Sequence, residues 1–107
     1  MAGAGASNGG ATAKEPRSSC EQERYGSTYI TSLRAKNTKC SSAKRVSRKF
    51  TACRKRQGGK NGKCNGQVAG YNCNEGNRNG VPGVQYDARV VCVNGSNKVV
   101  FTYTQNL

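Results

Sequence analysis

The sequence predicts an α+β domain in which one helix packs on a small, mostly antiparallel sheet, in the order β-α-β-β-β. Three observations predict it. Ala43, Val46, Phe50 and Cys53 step by three, four and three, which places them on one helical stripe. Strand-like runs lie on both sides of that stripe, the last two flanking Asn94-Gly95-Ser96-Asn97, a hairpin signal. Six cysteines, at positions 20, 40, 53, 64, 73 and 92, fall within the part of the chain able to fold.

Residues 1–19 are Gly, Ala, Ser, Asn and Thr with scattered charges and bury too little apolar surface to offset the entropy of ordering them. They read as a disordered tail, and residues 20–107 as a single disulfide-bonded domain. Residues 27–35 (STYITSLRA) are rich in β-branched and aromatic side chains and read as the first strand. Thr38 or Ser41 is expected to cap a helix over residues 40–55, whose buried stripe leaves Lys44, Arg45, Arg48, Lys49, Lys55 and Arg56 on the surface. Residues 57–66 (QGGKNGKCNG) read as a loop with two Asn-Gly turn signals. Residues 67–73 form a short strand weakened by Gly70, and residues 74–83 a polar loop. Residues 84–93 and 98–104 make the closing hairpin. Two registers are open, one setting Val90 and the other Cys92 opposite Val99. Both keep Ala88, Val90, Cys92, Val99, Phe101 and Tyr103 on one face, because they differ by two. That face is the natural floor for Ala43, Val46 and Phe50.

About 88 residues with seven aromatics and no Trp support only a marginal core, so cross-links are expected. Zinc is disfavoured as the reason for the cysteines, since there is no His and no Cys-x-x-Cys step. Six cysteines allow fifteen pairings. A helix antiparallel to the strand after it sets Cys40 near Cys73 and Cys53 near Cys64, leaving Cys20 for Cys92. The expected set is therefore Cys20–Cys92, Cys40–Cys73 and Cys53–Cys64. Disulfides of this density imply an oxidising, extracytoplasmic setting. Met1 to Ala13 lacks the basic start and apolar stretch of a signal peptide, so the chain is expected to be a mature or trimmed form with an added Met.

Charge is the most uneven property. Between Tyr25 and Asn74 stand twelve of the eighteen Lys and Arg residues and no Asp or Glu, and the chain's net charge is +13. A merely soluble surface mixes both signs. Like charges at Lys44/Arg48 and Arg45/Lys49 weaken the helix by a few tenths of a kcal/mol per pair, and an anionic partner would relieve that repulsion.

The run over residues 30–46, then Val68-Ala69-Gly70-Tyr71-Asn72-Cys73, Arg89-Val90-Val91-Cys92 and residues 98–101, resembles small extracytoplasmic domains of actinobacterial secreted proteins. In those a Cys-x-x-Ala-Arg/Lys helix start is followed by Gly-aromatic-x-Cys and a hairpin. The resemblance spans about residues 20–104 and implies export and an α+β fold. It carries no activity.

Enzyme readings meet a shortage of groups. There is no His, so no Ser-His-Asp or Cys-His arrangement, and the carboxylates are Glu15, Glu21, Glu23, Glu75 and Asp87. A small toxin-like ribonuclease would need Glu75 or Asp87 as base beside Arg78 or Arg89, and the plainer reading of these residues is surface or turn charge. Gly58-Gly59-Lys60-Asn61-Gly62-Lys63 lacks the Ser/Thr and the strand–helix setting of a phosphate loop. For stacking single-stranded bases, only Tyr25 and Tyr29 stand near the basic region. The expected function is non-catalytic binding of an anionic polymer or surface, such as a cell-wall polymer, acidic polysaccharide, anionic lipid or nucleic acid. Arg45, Arg48, Lys49, Lys55 and Arg56 carry it, Lys60 and Lys63 assist, and no cofactor or metal is implied. The alternatives are a ribonuclease or antimicrobial protein, and a structural module of an envelope protein.

Overall fold

A computed structural model describes residues 18–107; the expected tail lies outside the described residues except at Ser18 and Ser19, which form a strand. Strands β1 (Ser18–Ser19) and β2 (Glu23–Tyr25) line one edge of β3 (Thr28–Lys36). Helix α1 (Cys40–Gly58) and a 3-10 turn (Gly59–Asn61) follow. Then come β4 (Gly66–Val68), β5 (Tyr71–Glu75), β6 (Asn79–Val81), β7 (Gln85–Asn94) and β8 (Asn97–Asn106). One antiparallel sheet runs β1-β3-β8-β7-β5-β4, with β2 on β3 and β6 on β7. One helix on an antiparallel sheet is the fold class expected, with three short strands added.

The β7–β8 hairpin forms the sheet's centre. Cys92 pairs with Val99 and Asn94 with Asn97, so the tight turn falls at Gly95-Ser96. Ala88, Val90, Cys92, Val99, Phe101 and Tyr103 are all buried, as their shared face requires. β3 pairs with the other edge of β8, and its register shifts between Ile30 and Ser32. That bulge lets Ile30 and Leu33, three apart, both enter the core. The segment expected as one strand over residues 67–73 is instead a hairpin, β4 and β5. Its turn residues Ala69 and Gly70 take φ of 51° and 86°, the left-handed geometry that two-residue hairpins need.

Helix α1 buries Ala43, Val46 and Phe50 as expected, and Ser47, Thr51 and Arg54 beside them, while Cys53 is only half-buried. Phe50 meets Phe101 edge-to-face with ring centroids 5.4 Å apart. Its full burial contributes roughly 1.5–3 kcal/mol. Neither Thr38 nor Ser41 caps the helix. The cap residue is Lys39, which makes no side-chain cap bond, and its carbonyl accepts from Ala43 N at 3.0 Å. At the far end Gly59 (φ 67°) closes the helix by donating to the Lys55 carbonyl, beside Lys55 and Arg56, whose charges suit the negative end of the helix dipole.

The disulfides correct two expected pairs. They are Cys20–Cys40, Cys53–Cys64 and Cys73–Cys92, and no described cysteine is free. Cys73 and Cys92 face each other directly across β5 and β7, with Cα atoms 4.0 Å apart. Cys20 stays on the β3 edge, where its N–H donates to the Leu33 carbonyl, and so lies beneath the helix start. The strand after the helix is not the neighbour of Cys40 that spacing suggests; β3 and the chain leading to it occupy that place. All three loops are short, 20, 11 and 19 residues. Each link stabilises by about 3 kcal/mol in the chain-entropy model.

Among the described residues no helix is long and apolar enough to cross a membrane. Non-reducing digestion should release bridged peptides containing Cys20–Cys40 and Cys73–Cys92, detected by mass spectrometry. A Cys20–Cys92 peptide would contradict this topology. Full reduction should unfold the domain, because three links together rival the net stability of a small protein.

Candidate anion-binding surface and the arginine cluster beneath it

The helix divides its cations between two environments. Arg45, Arg48, Lys49, Lys55 and Arg56 are exposed, as are Lys60 and Lys63 in the segment that follows. Arg45, Lys49 and Arg56 recur at four and seven residues and form one row about 16 Å long. Arg48 and Lys55, seven apart, form a second. Lys55 Nζ also reaches the Tyr25 carbonyl at 3.4 Å. Lys44 sits apart from this set. It is half-buried and pairs with Glu21 at 2.9 Å and Glu23 at 3.5 Å, so its charge is spent within the domain. The hydrogen bond and charge of Lys44 hold the Glu21 carboxyl below its usual range, and Glu21 in turn raises Lys44.

Arg54, on the same helix, is fully buried and is the largest such side chain in the domain. The stripe that holds Ala43, Val46 and Phe50 returns to position 54, four residues past Phe50, so helical periodicity alone carried this signal. Its guanidinium lies 4.2 Å from the Tyr103 ring centroid. Arg54 Nη2 donates to the Lys60 carbonyl (3.0 Å), Tyr86 Oη (2.8 Å) and Gln105 Oε1 (3.0 Å), and Nε donates to the Gly62 carbonyl (3.3 Å). Its Nη1 is buried without a protein acceptor. No carboxylate is among its partners.

A second arginine completes the cluster. Arg78 Nε donates to Glu75 Oε2 at 2.5 Å, and its Nη atoms donate to the Asn61 and Gly62 carbonyls at 2.9 and 2.6 Å. Its guanidinium also stacks 4.4 Å from the Tyr86 ring centroid. Burial works against the Arg78 charge, but the hydrogen bonds of Glu75 and the electrostatics of Tyr103, Glu75 and Tyr86 together more than restore it, raising the group above its usual value. Tyr103 Oη donates to Glu75 Oε1 at 2.9 Å, and Tyr86 Oη to the Lys60 carbonyl at 2.6 Å. Three successive carbonyls, of residues 60–62, are thus drawn inward by two guanidinium groups and a phenol. A Cβ on Gly62 would run into the Arg54 carbonyl, so only glycine fits there.

This geometry bears on acid–base chemistry. The Glu75 side chain is 1% exposed, and both its oxygens are engaged. Asp87 lies on the opposite, open face of the sheet and accepts from Thr104 Oγ1 at 2.7 Å. The two carboxylates therefore cannot act on one substrate. Tyr25 and Tyr29 are also engaged: Tyr25 Oη is 3.0 Å from Ser47 Oγ, and Arg24 stacks 4.9 Å from the Tyr29 centroid. The Gly58–Lys63 segment ends a helix and does not start one, which excludes a phosphate loop.

Comparison of the chain with family models, curated proteins and solved structures returns no match.

Arg54→Ala should cost about 3–5 kcal/mol in urea denaturation, from the cavity and the acceptors left short of donors. Arg54→Lys should not rescue it, because an ammonium cannot span the fork-like set of acceptors. Burial, partly opposed by the Arg54 charge, pushes the Tyr103 hydroxyl well above its usual value of about 10. Stability from this group is complete below that value and falls as pH rises past it. Urea midpoints from pH 8 to 11 should therefore drop more steeply for the wild type than for Tyr103→Phe, and parallel curves would refute the assignment.

Proposed function

We propose that this chain is an exported, disulfide-stapled domain that binds anionic polymers or surfaces electrostatically and performs no chemistry. The observation that carries the reading is the exposed double row of Arg45, Arg48, Lys49, Lys55 and Arg56 on a helix that has no acidic residue in its first turn and no carboxylate anywhere along it. Such a row repels itself, and a polyanion relieves that repulsion while its counterions are released. Lys60 and Lys63 extend the surface past the helix end on a segment whose backbone is pinned from inside by Arg54 and Arg78. Pinning lowers the ordering cost of binding, so these two lysines assist the helix. The three disulfides support the export reading, since such links persist in oxidising compartments.

Replacing Arg45, Arg48, Lys49, Lys55 and Arg56 together with Gln should leave the circular dichroism spectrum and urea midpoint nearly unchanged. Retention on heparin should fall to a much lower salt concentration. Elution at the wild-type salt concentration would remove the proposal.

A further inference from the structure

An open cleft of about 540 Å³ lies beside the pinned segment, within the roughly 300–1,000 Å³ of small-ligand sites. Asn61, from that segment and next in sequence to the exposed Lys60, forms part of its wall. Its polar lining includes Arg78 and Tyr86, the stacked pair, and the amide of Gln85. Its apolar lining is Val81, Pro82 and Leu107, of which Val81 and Leu107 are 55% and 41% exposed. These apolar groups are gathered around a cation and rimmed by polar residues, the arrangement that marks a binding surface.

The lining chemistry discriminates among polyanions. A sulfated or carboxylated polysaccharide presents puckered rings with small C–H patches and no flat π face, so it gains less from a guanidinium flanked by Val81, Pro82 and Leu107. A nucleobase has both a flat face, suited to the Arg78 guanidinium and to the exposed Pro82, and an edge of donors and acceptors suited to Asn61 and Gln85. The Arg78 charge is matched by Glu75, but that of Arg54 is matched by no carboxylate, so the side chains of the cluster under the cleft carry a net positive charge, which suits an anionic ligand. We infer that the cleft takes one unpaired base of a single-stranded nucleic acid, whose flanking phosphates run over Lys60, Lys63 and the helix row. This deepens the polyanion reading and rests on it. Near the basic region the sequence offers only Tyr25 and Tyr29 for stacking, and both are engaged, whereas the cleft offers the Arg78 guanidinium.

The test compares fluorescence anisotropy of labelled octamers, U8 and dT8, with abasic strands of equal length and charge, beside heparin. The natural strands should bind about five- to a hundredfold tighter than the abasic ones, the range a single stacked base supports. Val81→Asp and Leu107→Ala, both on exposed rim positions, should shrink that ratio toward one. Using the ratio cancels the general electrostatic effect of the added carboxylate. Equal affinity for natural and abasic strands, with heparin still bound, overturns the base site and leaves polyanion binding standing. Loss of heparin and strand binding alike overturns both. A ratio that survives both rim variants places the base elsewhere and overturns the cleft assignment.

Discussion

The burial of the Arg54 guanidinium is the constraint on which much of this domain depends. A charge removed from water with no carboxylate to meet it must be solvated by the protein itself. The fold answers with two carbonyls, a phenol, an amide oxygen and the face of Tyr103. Each of these is held by something else. Tyr86 and Arg78 share the carbonyls of residues 60–62, Thr28 donates to the Gln105 amide oxygen, and Glu75 fixes Tyr103. Helix end, 3-10 turn, β5 and the two central strands are thereby joined by polar bonds at one end of a thin core.

The same network explains why a segment with three glycines among residues 58–62 has a definite shape. Two glycines close the helix, and Gly62 leaves room for the Arg54 carbonyl. The Cys53–Cys64 link closes an 11-residue loop around them. Cross-linking limits the unfolded chain, while the arginine bonds define the folded path. Those are separate contributions, and a small core requires both.

Cations in this chain do two different jobs. Arg54 and Arg78 act inward, as hydrogen-bond donors to backbone, and Lys44 is neutralised by Glu21 and Glu23. The exposed row on α1 has no comparable partner among the acids of the described domain, and its repulsion is tolerated because the helix is anchored at Cys40 and Cys53. This division is what turns a high net charge into a directed surface.

Hydrophobic periodicity determined the fold class, the hairpin's buried face and the helical stripe, because these depend on spacing along the chain and on nothing distant. The exposed basic set was legible for the same reason: Arg45, Arg48, Lys49, Lys55 and Arg56 lie away from the stripe and face water, while Lys44, Ser47 and Thr51, at its borders, are wholly or partly covered. Strand order was not legible, since β3 could have paired on several edges, and with it went the Cys20 and Cys73 partners. Short strands such as β4 and β6 carry too few residues for a pattern. The role of Arg54 needed the tertiary structure most. Spacing placed it on the buried stripe, but only the meeting of Tyr86, Tyr103, Gln105 and the Lys60–Gly62 carbonyls, brought together from distant parts of the chain, makes a buried guanidinium stable there.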